Sequence, residues 1–455
     1  MKRNGRSDCS LLFFICCNGE GMLQIVRDIV WSFPLLVFLL LFGVCLLWSL
    51  RKYPILRIKW VFQQTIGQLF EKRDTKKSLR VFSVALSGTM GIGNIIGASS
   101  CVLLFGAGSL FWMWVSAIVG MIIKYAEIVI AMHFRKRIQG NYYGGPMMNM
   151  QEGLKMPNMG VVYAILCFVT SIGIGNLVPM NALVSMLDYR LDIDKSVFVI
   201  VLSVCLGFIL FKGKDVIEKV CMYMVPLMSF LFIGATFVIV CMHLDGLWGV
   251  LQEVFRDVFS TSAIFGGVFW TQLQMGLARG IYSNEAGMGT SSLVHVKNEN
   301  VDGCEQGAWG ILEVVLDTLV SCTLSALVVL LLRSEFVNVD VYQAMYSSFQ
   351  LSFGVIGDVL YFVSMLLFAC SGMLAWCYYA KECMDFLKIK SWWYPYFFMI
   401  LLLLGAYVST ESLWAFTDIC NGFMLVLNVS SMIGLYDIVI NCTKKYFISK
   451  GYHVK

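Results

Sequence analysis

Long apolar runs separated by short polar segments dominate this sequence and limit what it can fold into. Hydrophobic residues make up 58% of the chain and charged residues 14%, against roughly a half and a quarter in ordinary soluble domains. One globular core could not bury this excess, so a lipid bilayer must solvate much of it. We therefore expect an all-α integral membrane protein that has the bilayer as its surroundings.

About eleven segments approach the roughly 20 apolar residues that a membrane-spanning helix needs. They lie at 29–50, 81–104, 109–133, 160–187, 196–211, 220–243, 268–294, 307–332, 355–380, 394–410 and 413–440. The stretch 244–262 differs, because its apolar residues recur at helical spacing between acidic ones. This pattern predicts an amphipathic helix at the membrane interface.

Basic residues are distributed unevenly between alternate loops. The loop 51–80 carries nine of them, and further clusters follow at 135–137, 212–219, 381–390 and 441–455. The intervening loops carry few. Because basic loops tend to stay in the cytoplasm, we expect a multi-pass protein of the cell membrane with its N-terminus outside and its C-terminus in the cytoplasm.

The spacing of cysteines and histidines argues against several classes of protein. The 16 cysteines are scattered through apolar runs without a CxxC pair, and the four histidines lie far apart. Neither a disulfide framework nor a zinc site is expected from such spacing. No nucleophile–base set or channel filter loop can be assembled. We therefore expect no enzyme, no cofactor and no nucleic-acid partner.

Two apolar segments are interrupted by glycines and polar residues, at 85–100 (ALSGTMGIGNIIGASS) and 276–292 (GLARGIYSNEAGMGTSS). Each glycine costs about 0.5–1 kcal/mol in a helix interior relative to alanine, so these clusters favour local unwinding. Unwound backbone at membrane depth can bind a carboxylate through its N–H groups and a cation through its carbonyls. Close helix packing through small residues is the alternative, but it does not require Asn94, Asn284 and Glu285.

Ionisable residues inside apolar segments are candidates for function. Three pairs occur here: Arg279 and Glu285 around the second interruption, Glu313 and Asp317 on one face of the 307–332 helix, and Lys124 and Glu127 one turn apart. Lys124 and Glu127 could simply satisfy each other. Glu285 is the member for which a functional role is favoured.

The two interruptions occupy corresponding positions in two halves of the chain, as an inverted repeat requires. The predicted segments are an N-terminal segment at 1–28, an extra transmembrane helix at 29–50, a first five-helix repeat at 81–243, the interfacial helix at 244–262, a second five-helix repeat at 268–440 and a basic cytoplasmic tail at 441–455. The start at 1–21 superficially resembles a signal peptide, but no small-residue cleavage site follows its short apolar run. Met22 is therefore an alternative start.

Six strings of this sequence resemble one known family, the alanine or glycine:cation symporters. They are SGTMGIGNIIGAS (87–99), LFWMWVSAIVGMIIKYAE (110–127), GGPMMNM (144–150), ARGIYSNEAGMGTS (278–291), QGAWGILEVVLDTLVSCTLSAL (306–327) and LWAFTDICNGFMLVLN (413–428). The resemblance implies a LeuT-type fold of the APC superfamily, an inverted five-helix repeat preceded by one extra helix. It also implies an amino-acid substrate and sodium as the co-transported ion.

The resemblance assigns the substrate to the space between the two interruptions. The implied substrate-binding residues are Gly88, Thr89, Gly91, Gly93, Asn94, Asn176, Pro179, Tyr282, Ser283, Asn284, Gly372 and Trp376. The implied ion-coupling residues are Gly88, Gly91, Ser371 and Glu285, with a sodium site near Gly91 and Ser371. In this assignment Trp376 walls the side-chain pocket and Ser371 supplies a hydroxyl ligand.

This chain departs from the family pattern beside the implied site. Gly372 stands where the family has a threonine, and Pro179 stands where a glutamine commonly occurs. Losing a hydroxyl and an amide reduces the polar lining and enlarges the cavity, and a buried partner left unpaired costs about 1–3 kcal/mol. The leading hypothesis is import of alanine or glycine by sodium symport through alternating access. The alternatives are a carrier with a larger substrate or proton coupling, and a transport-inactive amino-acid sensor.

Overall fold

The computed structural model describes residues 22–50, 54, 57–70, 75–190, 194–259, 267–299, 301–336, 339–408 and 410–451. Within these ranges the chain is helical apart from turns and one two-stranded hairpin. The signal-like run in 1–21 lies outside the described residues, and the predicted N-terminal segment is described only from Met22, which is helical. Met22 as an alternative start of the protein therefore stays a prediction.

After a helical stretch at 22–30, the described residues of the first half form a series of α-helices, three π-helices and the hairpin. In chain order they are α1 (Phe33–Ser49), α2 (Ile58–Gln64), α3 (Ile66–Phe70), α4 (Thr75–Thr89), π1 (Gly93–Gly97), α5 (Ala98–Phe105), α6 (Gly108–Phe134), β1 (Lys136–Ile138), β2 (Asn141–Tyr143), α7 (Pro146–Met148), π2 (Asn149–Gly153), α8 (Pro157–Ile172), π3 (Gly173–Leu177), α9 (Val178–Arg190), α10 (Lys195–Phe211) and α11 (Lys214–Met242). The antiparallel strands pair Lys136 with Tyr143.

The described residues of the second half are helical apart from turns and short connections. In chain order its elements are α12 (Leu244–Phe259), α13 (Val268–Asn284), α14 (Ser292–His295), α15 (Gly303–Val314), π4 (Val315–Cys322), α16 (Thr323–Leu332), two 3₁₀ turns (Arg333–Glu335 and Val341–Gln343), α17 (Ala344–Phe353), α18 (Val355–Phe386), α19 (Tyr394–Gly405), α20 (Thr410–Gly434) and α21 (Tyr436–Ser449). Of the segment predicted to be interfacial, 244–262, the described residues 244–259 form α12, and its place at a membrane surface stays a prediction.

Prolines, caps and glycines set several helix boundaries. Pro157 lies in the first turn of α8, where a missing N–H leaves no intrahelical bond unmade. Asp194 caps α10 by accepting hydrogen bonds from the backbone N–H groups of Ser196 (2.8 Å) and Val197 (3.2 Å), a preferred N-cap arrangement. Gly213, with φ of 91°, turns the chain between α10 and α11, a conformation that suits glycine.

Seven helical segments of the described chain are long and apolar enough to cross a membrane, and eight if one bent pair counts as a span. The seven are Met22–Ser49, Gly108–Phe134, Pro157–Leu187, Lys214–Met242, Gly303–Glu335, Val355–Phe386 and Leu413–Gly434, and the bent pair is Lys76–Thr89 with Gly93–Phe105. Of the other predicted spans, α10 and α19 are shorter apolar helices and α13 ends at the second interruption. A multi-pass membrane protein is confirmed, and the count of eleven stays a prediction.

Large apolar side chains cover the outer surface of these helices. Trp48 is 81% exposed, Phe230 77% and Val355 79%. Large exposed apolar surfaces are uncommon on soluble monomers, and here they occur on segments of membrane-spanning length. This surface is therefore suited to contact with lipid.

Helix α6 lies at the centre of the bundle, packed along α13 and α15. Small residues permit the close approach, because a Cβ on Gly276 would lie 2.7 Å from the Cβ of Trp112 and one on Gly280 would overlap Ser116. Lys124 and Glu127 of α6 have no exposed surface. The central helix thus carries two charged side chains into the interior of the molecule.

An ionic cluster joins several segments at one end of the molecule. Lys77 pairs with Glu299 at 2.7 Å, and Glu382 pairs with both Lys214 (2.5 Å) and Lys297 (2.6 Å). Burial lowers the pKa of Lys297, and the neighbouring Glu382 opposes this effect. These pairs bring the starts of α4 and α11, the end of α18 and the segment after α14 together. The membrane side that this end faces stays a prediction.

Candidate functional site

The first interrupted segment is a broken helix, as its glycines predicted. Helix α4 ends at Thr89, π1 begins at Gly93, and the helical segments on either side are bent by 47°. A Cβ added to Gly91 would find no other atom within 4 Å. The break therefore has open space at Gly91, which is partly exposed.

The second interrupted segment is broken by left-handed backbone. Helix α13 ends at Asn284, after which Glu285, Gly287 and Gly289 have φ of 51°, 87° and 92°. The chain then resumes a short helix at Ser292. Two of the three left-handed positions are glycines, which adopt this conformation without steric cost. The non-glycine exception, Glu285, is a candidate for function because backbone strain often occurs at functional sites.

Arg279 of α13 links the second broken helix to the first. Its Nη2 donates a hydrogen bond to the carbonyl oxygen of Gly93 at 2.8 Å, one of the groups that unwinding releases from helical pairing. The guanidinium lies against Gly97, where any Cβ would overlap it. Its other face lies 5.6 Å from the ring of Tyr282. The guanidinium of the second broken helix thus binds a backbone carbonyl of the first.

Polar side chains from three segments meet at Asp317 of π4. Asn94 donates through Nδ2 to Oδ1 of Asp317, and Ser283 and Thr318 donate to Oδ2 at 2.7 and 2.8 Å. The Oγ of Ser283 also lies 3.1 Å from Oδ1 of Asn94. All four residues are at most 5% exposed. The result is a buried, negatively charged cluster of oxygen atoms, the ligand type that hard cations prefer.

Glu127 of α6 holds the backbone of the second break. Its Oε2 accepts hydrogen bonds from the N–H groups of Gly287 and Gly289 (both 3.1 Å) and from Nδ2 of Asn428 (3.2 Å). The hydroxyl of Tyr163 donates to the carbonyl of Met288 at 2.6 Å. Side chains of α6, α8 and α20 therefore satisfy backbone groups that a helix would have paired.

Lys124 has partners other than Glu127. Its Nζ donates to the carbonyl oxygen of Asn284 at 3.2 Å and lies 3.8 Å from Oε2 of Glu313. The interpretation that Lys124 and Glu127 simply satisfy each other is therefore wrong. Glu285 accepts a hydrogen bond from Thr290 at 2.5 Å, which keeps its carboxylate within the break.

The predicted residues of α4 and α18 lie close together. A Cβ on Gly88 would be 2.9 Å from ring carbons of Tyr379, and one on Gly372 would meet only the carbonyl oxygen of Ser87, at 3.6 Å. The hydroxyl of Ser371 donates to the carbonyl of Phe368 at 3.1 Å. That of Thr89 likewise donates to a carbonyl of its own helix, at 3.2 Å. The hydroxyl of Ser371 also lies 3.2 Å from the sulfur of Met228 on α11. The assignment of both hydroxyls to substrate or ion stays a prediction.

The other predicted residues lie elsewhere, around π3 and beside Trp31. A Cβ on Gly175 of π3 would lie 2.9 Å from the indole of Trp376, and the neighbouring Asn176 donates to the carbonyl of Phe398 at 3.0 Å. Pro179 lies in the first turn of α9. The ring of Tyr282 lies 6.0 Å from that of Trp31. Asn176 and Trp376 thus lie in or against π3, whereas Tyr282 packs against Trp31.

Sequence reasoning gave Asp317 too small a role. It placed Asp317 on a helix face with Glu313, whereas the structure makes it the meeting point of Asn94 and Ser283. The available signal was a carboxylate inside an apolar run. π-Helices are common at functional sites, but no sequence pattern predicted π3 and π4.

Comparisons with known proteins agree over almost the whole chain. The profile of the sodium:alanine symporter family matches residues 18–453. An uncharacterized transporter of Haemophilus influenzae is 30% identical over 445 residues, covering 94% of this chain and 96% of that protein. The sodium/alanine symporter of Methanococcus maripaludis is 28% identical, covering 94% and 97%. A probable sodium/glutamine symporter of Bacillus subtilis is 26% identical, covering 94% and 90%.

Proposed function

Because this chain belongs to the sodium:alanine symporter family, we propose that it imports a small neutral amino acid, alanine or glycine, together with sodium by alternating access. The similar protein of Methanococcus maripaludis is named a sodium/alanine symporter. The chain is a transporter and not an enzyme. Sodium and the amino acid are its proposed cargo, and it needs no other cofactor in this proposal.

The proposed fold is the LeuT-type inverted repeat with one extra N-terminal helix and eleven spans. It is supported by the two breaks, which fall at the first span of each proposed repeat, 81–243 and 268–440. The breaks also contact each other, through Arg279 and the carbonyl of Gly93. Discontinuous helices of this kind bind substrate and coupling ion near the bilayer midplane in many transporters. The ionic end with its basic loops is proposed to face the cytoplasm.

The observation that carries the proposed coupling is the cluster at Asp317. A buried carboxylate lying between Asn94 of the first break and Ser283 of the second offers oxygen ligands from both. A sodium ion bound there would attract the carboxylate of the amino acid, whose other partners are the N–H groups freed at the breaks. Binding both cargoes would tie the two broken helices together. Their binding energy would then shift the conformational equilibrium, as alternating access requires.

A second candidate, a larger neutral amino acid, is favoured by the space at two glycines. A Cβ added to Gly91 would meet nothing within 4 Å, and one added to Gly372 would meet only the carbonyl of Ser87 at 3.6 Å. A threonine at Gly372, as the family pattern has it, would fill part of this space. One similar protein of Bacillus subtilis is named a probable sodium/glutamine symporter, which makes glutamine a sensible test substrate.

Uptake into proteoliposomes tests the proposal. Purified chain would be tested for uptake of labelled alanine, glycine and glutamine, with an inward gradient of sodium or of choline. The matched pair of variants is Asp317→Asn and Asp437→Asn, because Asp437 is an acid at the start of α21, far along the chain from both breaks. Losing one charge-assisted contact of about 1.5–3 kcal/mol should weaken the apparent sodium affinity roughly 10- to 100-fold in Asp317→Asn. Asp437→Asn should behave as the wild type does.

The outcomes separate the candidates. Sodium-dependent uptake of alanine or glycine supports the leading proposal, and sodium-dependent uptake of glutamine alone supports the second candidate. Uptake that ignores sodium, or that keeps its sodium dependence in Asp317→Asn, would refute the assigned coupling. Binding of an amino acid without any uptake would instead support the transport-inactive sensor.

A further inference from the structure

A chain of buried hydrogen bonds runs beside the second break. Nε2 of His295 contacts Oε1 of Glu313, and Nδ1 of His295 lies 2.5 Å from Nε2 of Gln306. Oε1 of Gln306 accepts from Nδ2 of Asn298 at 2.9 Å, and that amide also donates to Oγ of Ser78 at 3.0 Å. His295, Glu313 and Gln306 have no exposed surface, and Asn298 and Ser78 have 4% and 7%.

This series of hydrogen bonds lies between two charged regions of the molecule. At one end, Glu313 lies 3.8 Å from Nζ of Lys124, which donates to the carbonyl of Asn284 at the second break. At the other end, Asn298 is next to Glu299, which pairs with the half-exposed Lys77. A series of polar groups thus reaches from the break to Asn298, which precedes Glu299 of the ionic end in the sequence. None of these groups has a role in the binding of sodium or amino acid as proposed above.

We propose that His295 and Glu313 form a proton-binding site, in which Gln306 and Asn298 reorient their amides when His295 gains its proton. Histidine is the side chain whose ordinary titration range includes neutral pH. Here both of its ring nitrogens are engaged, one by a carboxylate and one by an amide that can present either a donor or an acceptor. The coupling of this site to sodium, described below, rests on the proposed function; the site itself does not.

The present contacts correspond to neutral His295. Because Nε2 of Gln306 is a donor, Nδ1 of His295 must accept, and the ring proton then lies on Nε2 and is donated to Glu313. On loading, a proton binds Nδ1 and Gln306 turns its amide, so that its Oε1 accepts from the new Nδ1–H. This breaks the bond from Asn298 to Oε1 of Gln306, so Asn298 turns as well, and its Oδ1 then accepts from Nε2 of Gln306 and from the hydroxyl of Ser78. The imidazolium then donates from both nitrogens. On release the proton leaves Nδ1 and both amides turn back.

The charges around His295 and Glu313 determine whether bound sodium favours or opposes binding of the proton. The titratable groups near it are Lys124 and Glu127 on α6, Asp317 one turn beyond Glu313, Glu285 in the second break, and Tyr379 on α18. Loading adds one positive charge to this region, and so would sodium at Asp317. Two unit charges about 10 Å apart oppose each other by roughly tenfold in affinity at an effective dielectric constant near 20. Sodium binding should therefore favour release of the proton.

Solid-state NMR of the ring nitrogens tests this directly. The chain has four histidines, so replacing His133, His243 and His453 with glutamine leaves His295 as the only labelled imidazole without altering the site. The full-length protein, labelled with ¹⁵N-histidine in lipid vesicles, would be titrated from about pH 5 to 9 in choline chloride and in sodium chloride. We expect a neutral Nε2–H form at high pH and a doubly protonated form at low pH. In sodium the midpoint should be about one pH unit lower.

Further results would decide between a proton site and a structural histidine. Glu313→Gln should move the midpoint to lower pH, because the imidazolium loses its carboxylate, while Asp437→Asn should leave it in place. A single neutral form at every pH in both salts would overturn the proton site. Titration that is identical in sodium and choline would overturn the coupling. If sodium-driven uptake fails in proteoliposomes while His295 still titrates, the proposed function fails and the proton site stands.

Discussion

Gly97→Ala is the sharpest test of the contact between the two broken helices. Gly97 has ordinary helical geometry, with φ of −79°, so an alanine there strains no backbone. Its Cβ would nevertheless overlap the guanidinium of Arg279. The guanidinium must move away, and its 2.8 Å hydrogen bond to the carbonyl of Gly93 is lost.

The expected cost follows from two opposing terms. Replacing a helical glycine with alanine stabilises by about 0.5–1 kcal/mol. Losing a hydrogen bond to a charged group costs about 1.5–3 kcal/mol. The net effect should be a destabilisation of about 1–2 kcal/mol. Gly91→Ala in the same break should not be destabilised, because its Cβ meets nothing within 4 Å.

The assay is thermal unfolding of the purified variants in one detergent, followed by intrinsic fluorescence, together with uptake in proteoliposomes. Gly97→Ala should have a lower midpoint temperature than the wild type. Gly91→Ala should keep the wild-type midpoint but transport more slowly, because its methyl group enters the open space beside the break. A third variant, Gly234→Ala, places a methyl group in open space on α11 and controls for the general effect of alanine in a helix.

A double-mutant cycle identifies the cause. In an Arg279→Met background the flexible side chain can yield to a methyl group, so adding Gly97→Ala should cost little. Coupling of this kind between contacting residues is typically 0.5–3 kcal/mol. If Gly97→Ala has the wild-type midpoint, or if its effect is the same in both backgrounds, then Arg279 does not hold the first break as described.

Three further perturbations test neighbouring contacts. Glu127→Ala leaves three donors at the second break without their acceptor, at a cost of about 1–3 kcal/mol each, whereas Glu127→Gln retains one amide oxygen. The alanine variant should therefore unfold at a clearly lower temperature than the glutamine variant, and equal midpoints would contradict this. Gly372→Thr should fold normally, since its Cβ makes an ordinary 3.6 Å contact with Ser87. Its added hydroxyl should raise the apparent sodium affinity in uptake assays, and an unchanged sodium dependence would show that this space is not part of an ion site. Glu382→Gln should lower the unfolding midpoint more than Asp385→Asn, because Glu382 pairs with two lysines and Asp385 with one of them; the reverse order would contradict a central role for Glu382.

The sequence was informative where composition and backbone chemistry act locally. Apolar length predicted a multi-pass membrane protein. Clusters of glycine predicted both breaks, one with a bend of 47° and the other with left-handed residues at Gly287 and Gly289. These features depend on a few consecutive residues, whose preferences hold in almost any surroundings. The predicted grouping of Asn94 with Ser283 also appears in the structure.

Contacts between distant segments could not be predicted in the same way. Lys124 and Glu127 are one turn apart, which suggested a local pair, yet their partners Glu313 and Asn428 lie on other helices. A buried charge takes whichever partner the packing provides, because leaving it unpaired costs more than any local preference. The position of Asp317 at the junction of both breaks depends equally on how π4 packs, which sequence spacing does not encode.

The charges around the breaks also bear on why a cation should accompany the amino acid. Glu127, Glu285, Glu313 and Asp317 are buried around Lys124, and Arg279 is occupied by the carbonyl of Gly93. A neutral amino acid would bring a further carboxylate close to Asp317, and two ionised carboxylates repel each other in a low-dielectric interior. A sodium ion at Asp317 would remove that repulsion and offer the substrate carboxylate a partner. Linkage then requires the converse, that bound amino acid raises the affinity for sodium by the same factor.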